Sequence, residues 1–208
     1  MRYDSYRYLW PPRPEKAAPP ELIEFYWRRG WLAQVKKNGT CTVIFANGGQ
    51  VIFKTRHNDD HKAWSPQARH VQFFGQRQGW NVYVAELLHS KGPTLKNHLY
   101  LFDILVNDGV ELTGTTLCER QTILRTRFPS PRADIIGSRA GLGARMICDD
   151  VSQAENLTDP SAAWAALGTL DEGLVFKNPT AKLAPCLTEK SNGEWQIKIR
   201  LPHSNYSF

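Results

Sequence analysis

The sequence predicts an α+β fold in which antiparallel β-sheets are flanked by a few helices. Short apolar or alternating stretches recur along the chain and indicate strands, and turns containing asparagine or glycine join several of them. Helical patterns occur between the strands without regular βαβ alternation, so a doubly wound parallel sheet is not expected. With 208 residues, of which 41% are hydrophobic, the chain can bury a core without disulfides or a structural metal.

The first 20 residues are predicted to form an extended arm over the surface of a domain that spans residues 21–208. The segments YLWPPRP and AAPP are rich in proline, which excludes regular helix and favours extended backbone. A helix is then predicted from Pro20-Glu21 to Gly30, because apolar residues follow at helical spacing and glycine ends the pattern.

Three strands, WLAQVKK, CTVIFA and QVIFKT, are predicted next, with a hairpin turn at residues 47–49 between the second and third. The segment HNDDHKAW that follows is predicted to be a solvated loop. Its histidines and aspartates crowd together without the spacing that metal ligands on regular structure show. Ser65-Pro66 is predicted to cap and open a helix that ends near Phe74.

In the second half, the predicted strands are WNVYVAELLH, HLYLFDILV, ARMICDDV, EGLVFK and EWQIKIR. Helices are predicted over Thr116 to Phe128 and Pro160 to Leu167. Residues 129–142 are predicted to form a loop rich in proline, arginine and glycine. The basic residues around it either track a phosphate backbone or are simply solvated, and they are Arg125, Arg127, Arg132 and Arg139.

Charge and composition narrow the class of protein. The net charge is +6, from 26 lysines and arginines against 20 acidic residues, which favours a phosphate-rich partner such as nucleic acid. No apolar run approaches the length of a membrane span, and the first ten residues do not resemble a signal peptide. The four cysteines are widely separated, which predicts reduced thiols. A cytoplasmic protein without a membrane partner is therefore expected.

Lys36 and Lys37 lie at a predicted strand end, directly before a turn made by Asn38 and Gly39. A lysine at such a corner can point into a cleft, while glycine lets backbone approach a ligand. A lysine amine attacks phosphorus only when it is neutral, and a nearby cation, a metal or desolvation favours that state. Considered alone, the segment is much more typical of a solvated hairpin corner than of a nucleophile.

A series of further segments resembles the motifs of the covalent nucleotidyltransferases, which include ATP-dependent DNA ligases, RNA ligases and mRNA capping enzymes. The segment KKNG resembles their KxDG or KxxG motif, with Lys36 as nucleophile, Gly39 as the glycine and Asn38 where many members have aspartate. TRHN, VAEL and LFDIL resemble three later motifs, although the Asp-Gly that usually precedes the glutamate is absent. Their functional residues correspond to Arg56, Glu86 and Phe102.

The C-terminal part of the resemblance is the most specific. EGLVFK is similar to the motif EGLVxK, and WQIKIR resembles the last motif, with arginine in place of its second lysine. The resemblance implies a ligase-type, ATP-grasp-like fold and a site that binds ATP or AMP and Mg²⁺, with Mn²⁺ as an alternative metal. The implied nucleotide ligands are Lys36, Gly39, Arg56, Glu86, Phe102, Lys177, Lys198 and Arg200, and the implied metal ligands are Glu86 and Glu172.

Physical reasoning assigns roles to the same residues but leaves alternative roles open. Lys198 and Arg200 are two apart on a predicted strand, so both project from one face and could grip an α-phosphate. Glu172 opens an apolar strand, where either a magnesium ion or a salt bridge, with Lys36 as a candidate partner, would offset its burial. Core packing is the alternative for Phe102, and simple solvation is the alternative for Lys177. Asp103 either orients backbone or takes part in catalysis.

The sequence therefore predicts an ATP-dependent polynucleotide ligase, with DNA favoured, that seals 5′-phosphate and 3′-hydroxyl ends through a lysyl-AMP intermediate. DNA is favoured because the helix after LFDIL carries Glu-Arg, as it does in DNA ligases. An RNA ligase, or a non-catalytic nucleic-acid-binding protein on a decayed nucleotidyltransferase, is the alternative; a GTP-using capping enzyme is less favoured. Because family members usually continue into an OB domain that is missing here, the resemblance implies either a bare catalytic domain, as in minimal ligases, or a protein partner that replaces the OB domain.

Overall fold

The computed structural model of the protein describes residues 1–90, 95–129, 141–189 and 193–202, and within them the chain forms two β-sheets and four α-helices. A turn of 3₁₀ helix, Pro20–Leu22, precedes the first helix. The strands are β1 (Lys16–Ala17), β2 (Leu32–Lys37), β3 (Thr40–Asn47), β4 (Gln50–Thr55), β5 (Asn81–Leu88), β6 (His98–Asn107), β7 (Val110–Glu111), β8 (Ala144–Cys148), β9 (Val151–Ala154), β10 (Asp171–Lys177) and β11 (Gln196–Arg200). The helices are α1 (Ile23–Arg28), α2 (Ala68–Phe74), α3 (Leu117–Arg127) and α4 (Pro160–Ala165).

The smaller sheet has the strand order β1-β11-β10-β2, in which β10 runs antiparallel to both neighbours and β1 is parallel to β11. Its side chains alternate between two different environments, as the period of a strand requires. One face is apolar and packs with α1 and α4 into a core that contains Val35, Leu174, Phe176 and Ile199. The opposite face carries the polar side chains and is turned away from these helices.

The larger sheet has seven strands in the order β4-β3-β5-β6-β9-β8, with β7 paired to β6. Most neighbours are antiparallel, and the β6–β9 pair is parallel. Its strands are apolar on most positions because they are covered on both sides, and they supply the largest core cluster. Helix α3 packs on β6. A buried ion pair joins these two elements, in which Arg120 Nε donates to Asp103 Oδ1 over 2.7 Å.

The N-terminal segment is extended, with no helix in residues 1–19, but it is not confined to the surface as the sequence analysis expected. Tyr3 is only 1% exposed and packs edge-on against Trp80 in the main core. Further along, the Trp10 amide donates to the carbonyl of Cys186, and Lys16–Ala17 joins the smaller sheet as β1. Aromatic and leucine side chains cost free energy when exposed, which explains why this segment is packed into the fold.

Two predicted element boundaries are wrong. Helix α2 begins at Ala68 instead of Ser65-Pro66, because Gln67 and His70 form a reciprocal capping arrangement there. ARMICDDV is two strands, because its adjacent aspartates favour a turn over strand and make the turn between β8 and β9. The other predicted strands and helices are confirmed to within a few residues. Of the predicted loop 129–142, residues 130–140 lie outside the described residues, and with them Arg132 and Arg139. None of the described helices has the length and apolar character needed to cross a membrane.

Candidate active site

A cleft of about 1180 Å³ lies between the polar face of the smaller sheet and strands β3, β5 and β6 of the larger sheet. The turn between β2 and β3 connects the two sheets at its base. The structure brings every site residue that the sequence predicted to the wall of this one cleft. These residues are Lys36, Gly39, Arg56, Glu86, Phe102, Glu172, Lys177, Lys198 and Arg200.

Strand register explains why the cations of the smaller sheet meet. Gly173 on β10 lies directly between Lys36 on β2 and Arg200 on β11, and Val175 is opposite Lys198 in the same way. Directly opposed residues share a face of the sheet. Lys36, Lys198 and Arg200 therefore project into the cleft from two strands that flank β10.

Glu172 reaches the same face through a β-bulge. The pairing of β10 with β2 shifts between Asp171 and Gly173, so Glu172 is an extra residue that simple alternation would turn towards the core. Its carboxylate instead forms ion pairs with the Lys36 amine and with Arg200, whose Nε lies 2.6 Å from Oε1. The salt bridge to Lys36 that the sequence left as an alternative is thus present in the structure.

Lys37 points to the other side of β2, as the alternation of a strand requires. Its buried ammonium donates to Asp171 over 2.7 Å and to the Leu142 carbonyl over 2.9 Å. Burial lowers the pKa of Lys37, and the contact with Asp171 opposes this effect. Of the two adjacent lysines, Lys36 therefore has its amine at the cleft carboxylate Glu172, whereas Lys37 is committed to Asp171.

Gly39 allows the two sheets to pack closely against each other. A Cβ atom at this position would lie 2.5 Å from the Leu87 carbonyl oxygen and 2.7 Å from Cγ of Glu86, which is closer than real Cβ contacts. The absence of a side chain lets the β2–β3 turn lie directly on β5, beside Glu86. The sequence pattern, which predicts a ligand-facing role for Gly39, contains no signal for this contact.

Phe102 and Lys177 face each other across the cleft, with Lys177 Nζ 5.2 Å from the centroid of the ring. Lys177 is 3% exposed, so simple solvation, one of its two predicted interpretations, is wrong. Burial lowers the pKa of Lys177 to about 8, with Asp103 opposing the shift and Arg120 reinforcing it. Asp103 itself is held by Arg120, which indicates a structural role for this aspartate.

The mouth of the cleft on the larger sheet carries an exposed chain of hydrogen bonds. Arg56 Nε donates to His57 Nε2 over 3.0 Å, and His57 Nδ1 is 3.1 Å from Glu189 Oε1. Deeper in the cleft, Glu86 on β5 is paired in register with Cys41 on β3. Arg56 and Glu86 thus lie on the wall that faces Lys36 and Glu172.

Lys198 connects the cleft to the N-terminal segment. Its ammonium donates to the Pro14 carbonyl over 3.3 Å. Burial lowers the pKa of Lys198, and the neighbouring charges of Arg200, Lys36 and Arg13 lower it further while Glu172 opposes them. An amine in such surroundings gains more than an isolated one from the arrival of an anion.

Gln34 is a cleft residue that the sequence analysis missed. It is 2% exposed, and its Nε2 donates to Asn156 Oδ1 over 3.1 Å. Its carbonyl oxygen Oε1 is buried and accepts no hydrogen bond from the described residues, although it lines the cleft. The available signal was its position two residues before Lys36, which places both side chains on one face of β2.

The carboxylates of the cleft can be tested as metal ligands. Within the described ranges no group of three histidine, cysteine or acidic side chains forms a ready-made metal site. Glu86 and Glu172 do line the cleft together with several cations. Mg²⁺ is commonly held by one or two carboxylates together with substrate phosphates and water, so these two residues fit a metal that arrives with a nucleotide.

Comparison with known proteins identifies the fold. No protein-family model and no curated protein matches the chain. The ligase domain of LigD from M. tuberculosis is similar in structure, with a TM-score of 0.56 and 20% identity, over 82% of this chain and 53% of that chain. A mycobacterial DNA ligase D complexed with ATP and MES has a TM-score of 0.57 and 20% identity, over 82% and 54%.

These similarities confirm the predicted fold class: the chain has the fold of a ligase nucleotidyltransferase domain. It spans about half the length of the two ligase structures, 53% and 54%. At 20% identity the likeness concerns the fold alone, and the chemistry depends on the residues of the cleft.

Proposed function

We propose that this protein is an ATP-dependent polynucleotide ligase that seals 5′-phosphate and 3′-hydroxyl ends through an AMP adduct on Lys36. One observation carries the proposal: the Lys36 amine meets Glu172 inside a cleft whose same wall presents Lys198 and Arg200. A nucleophile, a carboxylate and phosphate-binding cations are thereby within reach of one phosphorus atom. The ligase domains that share the fold support this choice of activity.

In the first step the Lys36 amine attacks the α-phosphorus of ATP. The ion pair with Glu172 stabilises the ammonium, so the proton must pass to this carboxylate or to water before attack. The Nζ–P bond then forms as the bond from the α-phosphorus to the bridging oxygen breaks, and the electron pair leaves with pyrophosphate. Lys198 and Arg200 offset the charge that develops on the phosphoryl oxygens.

In the second and third steps AMP passes from Lys36 to a 5′-phosphate, and a 3′-hydroxyl then displaces it. Glu172 and Arg200 stay beside the α-phosphate throughout, because Arg200 is held to Glu172 at 2.6 Å. Arg56 lies at the mouth of the cleft, where an incoming 5′-phosphate would pass. We assign it to that phosphate.

The nucleotide base is proposed to be adenine, bound beside Phe102. The buried acceptor Gln34 Oε1 lines the cleft and can receive the exocyclic amine of adenine, whereas guanine would present an acceptor to it. An unpaired buried acceptor is costly, so a base that donates to it is favoured. The neighbouring structure that contains ATP agrees with this choice of nucleotide.

Mg²⁺, or Mn²⁺ in its place, is the proposed metal, with Glu86 and Glu172 as its protein ligands. When bound it would supply charge neutralisation at the phosphates. A metal held there would share the Glu172 carboxylate with the Lys36 amine.

The preference for DNA over RNA rests on the proteins of similar structure and not on the Glu-Arg pair that favoured DNA in the sequence. Glu119 caps α3 by accepting from the Thr116 amide over 2.6 Å, and Arg120 is buried against Asp103. Arg120 is thus buried and cannot contact nucleic acid directly, whereas Glu119 caps α3 from an exposed position. DNA remains favoured because a protein of similar structure is a mycobacterial DNA ligase, and an RNA ligase is the alternative.

The decisive experiment is intact mass analysis of the protein after incubation with ATP and Mg²⁺. We expect the mass of one adenylyl group to be added to wild type and to be lost in Lys36→Ala. Lys54→Ala is the matched control, because Lys54 is on β4 of the larger sheet, does not line the cleft and pairs at the surface with Asp60. Lys37→Ala is a poor control, since it would leave Asp171 buried without its partner.

The proposal is supported if the Lys54→Ala protein forms the adduct and the Lys36→Ala protein does not. It is refuted if the Lys36→Ala protein still forms the adduct. Wild type without any adduct in ATP or GTP would favour a non-catalytic nucleic-acid-binding protein. Sealing of nicked duplex DNA compared with single-stranded RNA then identifies the substrate. GTP labelling in place of ATP would identify a capping enzyme.

A further inference from the structure

The N-terminal segment contributes a cation to the cleft that none of the motifs contains. Arg13 lines the cleft together with Trp10 and Glu15, although these residues precede Lys36 by more than 20 positions. In the part of the chain that the structure describes, no carboxylate lies within ion-pair distance of Arg13. A guanidinium at a cleft wall without an acidic partner is available for an anionic ligand.

The backbone that carries Arg13 is fixed in place. Pro11, Pro12 and Pro14 surround it, and proline restricts the backbone at three of these four positions. The segment is tied on both sides, by the Trp10 amide to Cys186 and by Lys198 Nζ to the Pro14 carbonyl at 3.3 Å. A Cβ atom on Gly193 would collide with the Arg13 carbonyl, so the segment is packed tightly against the loop before β11. Arg13 is therefore positioned before any ligand binds.

The charges around Lys198 are unbalanced. Arg13, Lys36 and Arg200 all lie close enough to Lys198 for their charges to act on its amine, and Glu172 is the acidic group acting there. This carboxylate is already shared by Lys36 and Arg200. The remaining positive charge belongs to Arg13 and Lys198, which lie next to each other on two different chain segments.

We propose that Arg13, together with Lys198, binds the two outer phosphates of ATP and stabilises the pyrophosphate that leaves. This inference rests on the proposed function, because it places the α-phosphate at Lys36 and Arg200. When the bond to the α-phosphorus breaks, the departing oxygen takes the electron pair. A guanidinium that donates two parallel hydrogen bonds to neighbouring phosphate oxygens would offset that charge. Arg13 is thus a leaving-group ligand supplied by the N-terminal segment.

The test measures binding of inorganic pyrophosphate and of AMP to the full chain by calorimetry, at one ionic strength. For Arg13→Ala we expect pyrophosphate affinity to fall about tenfold or more, while AMP affinity changes by less than about twofold. Arg13→Lys keeps the charge and should recover part of the loss. Arg28→Ala is the matched control, because Arg28 is exposed on α1 and pairs with Glu24 away from the cleft.

Reactivity gives a second measurement. The rate at which pyrophosphate removes AMP from the Lys36 adduct should fall in Arg13→Ala, and the rate of AMP transfer to nicked DNA should not. Unchanged pyrophosphate affinity in Arg13→Ala would overturn the inference. An equal loss of pyrophosphate and AMP affinity, together with a lower melting temperature, would also overturn it, because that pattern indicates displacement of the whole N-terminal segment.

The two proposals can fail separately. If wild type binds pyrophosphate through Arg13 but never forms the Lys36 adduct, the ligase proposal fails and the anion site stands. If the adduct forms and Arg13→Ala handles pyrophosphate as wild type does, the ligase proposal stands and this inference fails.

Discussion

Lys37 and Lys177 are both buried, but the protein holds their charges in different ways. Lys37 has a carboxylate and a carbonyl oxygen as partners, so its burial is offset by hydrogen bonds. Lys177 has the ring of Phe102 beside its ammonium, and Asp103, the nearest acid acting on it, is already paired with Arg120. A poorly paired cation facing a cleft is costly, which is typical of functional sites.

We predict that Lys177 makes the protein less stable at neutral pH than at high pH. Its pKa is about 8 in the folded protein against 10.5 for a solvated lysine, so the unfolded chain binds more protons between these values. Stability therefore rises with pH through this window. Relative to Lys177→Met, wild type should gain about 2 kcal/mol in unfolding free energy from pH 7 to 9.5, at about 1.4 kcal/mol per unit.

Urea denaturation of both proteins at the two pH values measures this difference. Titration of all other groups cancels in the comparison because the two chains share them. A difference that is independent of pH would contradict the buried, weakly paired state of Lys177.

At the scale of elements, β10 determines the chemistry of the cleft. Strand alternation alone places Lys177 and Val175 on the cleft face and Glu172 on the other. The bulge before Gly173 reverses this for Glu172, and Gly173 has φ of +147°, a conformation that side chains rarely adopt. Gly173 therefore permits the backbone conformation that turns the Glu172 carboxylate towards Lys36.

Replacing Gly173 with alanine is predicted to destabilise the protein by about 3 kcal/mol, through backbone strain and collision with the Ile199 carbonyl. The adduct on Lys36 should be lost as well, because Glu172 turns away. Urea denaturation and intact mass analysis measure the two effects. Gly49→Ala is the control, since nothing lies within 4 Å of a Cβ there, and its stability should change by less than about 0.5 kcal/mol. Equal stability of the two variants would disprove the account of the bulge.

At the scale of the whole molecule, the cleft depends on how closely the two sheets approach each other. The turn between β2 and β3 passes from one sheet to the other, and Gly39 lets it rest directly on β5. Lys36 belongs to the smaller sheet and Glu86 to the larger one. This contact therefore helps to set their relative position, together with the hydrogen bond from the Tyr100 hydroxyl on β6 to the Val35 carbonyl on β2.

We predict that Gly39→Ala remains folded but forms the Lys36 adduct about 100-fold more slowly, because a shift of about 1 Å between reacting groups has an effect of this size. The methyl group must push the turn away from Leu87, which displaces Lys36 relative to the opposite wall. Single-turnover formation of the adduct measures the rate, with Gly49→Ala as control. An unchanged rate in Gly39→Ala would show that the contact does not position Lys36.

The sequence by itself predicted most of the strands and helices in their order, the ligase-type motifs and nine of the residues that line the cleft. These features depend on local patterns: strand periodicity, turn residues and the short segments KKNG and EGLVFK. Local patterns also misplaced the start of α2 and joined β8 to β9, since helix capping and turns depend on side-chain contacts.

Only the tertiary structure decided what these residues contact. The Lys36–Glu172 pair joins positions 136 residues apart, and Arg13 enters the cleft from a segment without a motif. The bulge at β10, the packing of Gly39 on β5 and the burial of Lys177 all depend on neighbours from distant parts of the chain. Such contacts arise from pairing between strands that are far apart in the sequence, and local patterns do not reveal which strands become neighbours.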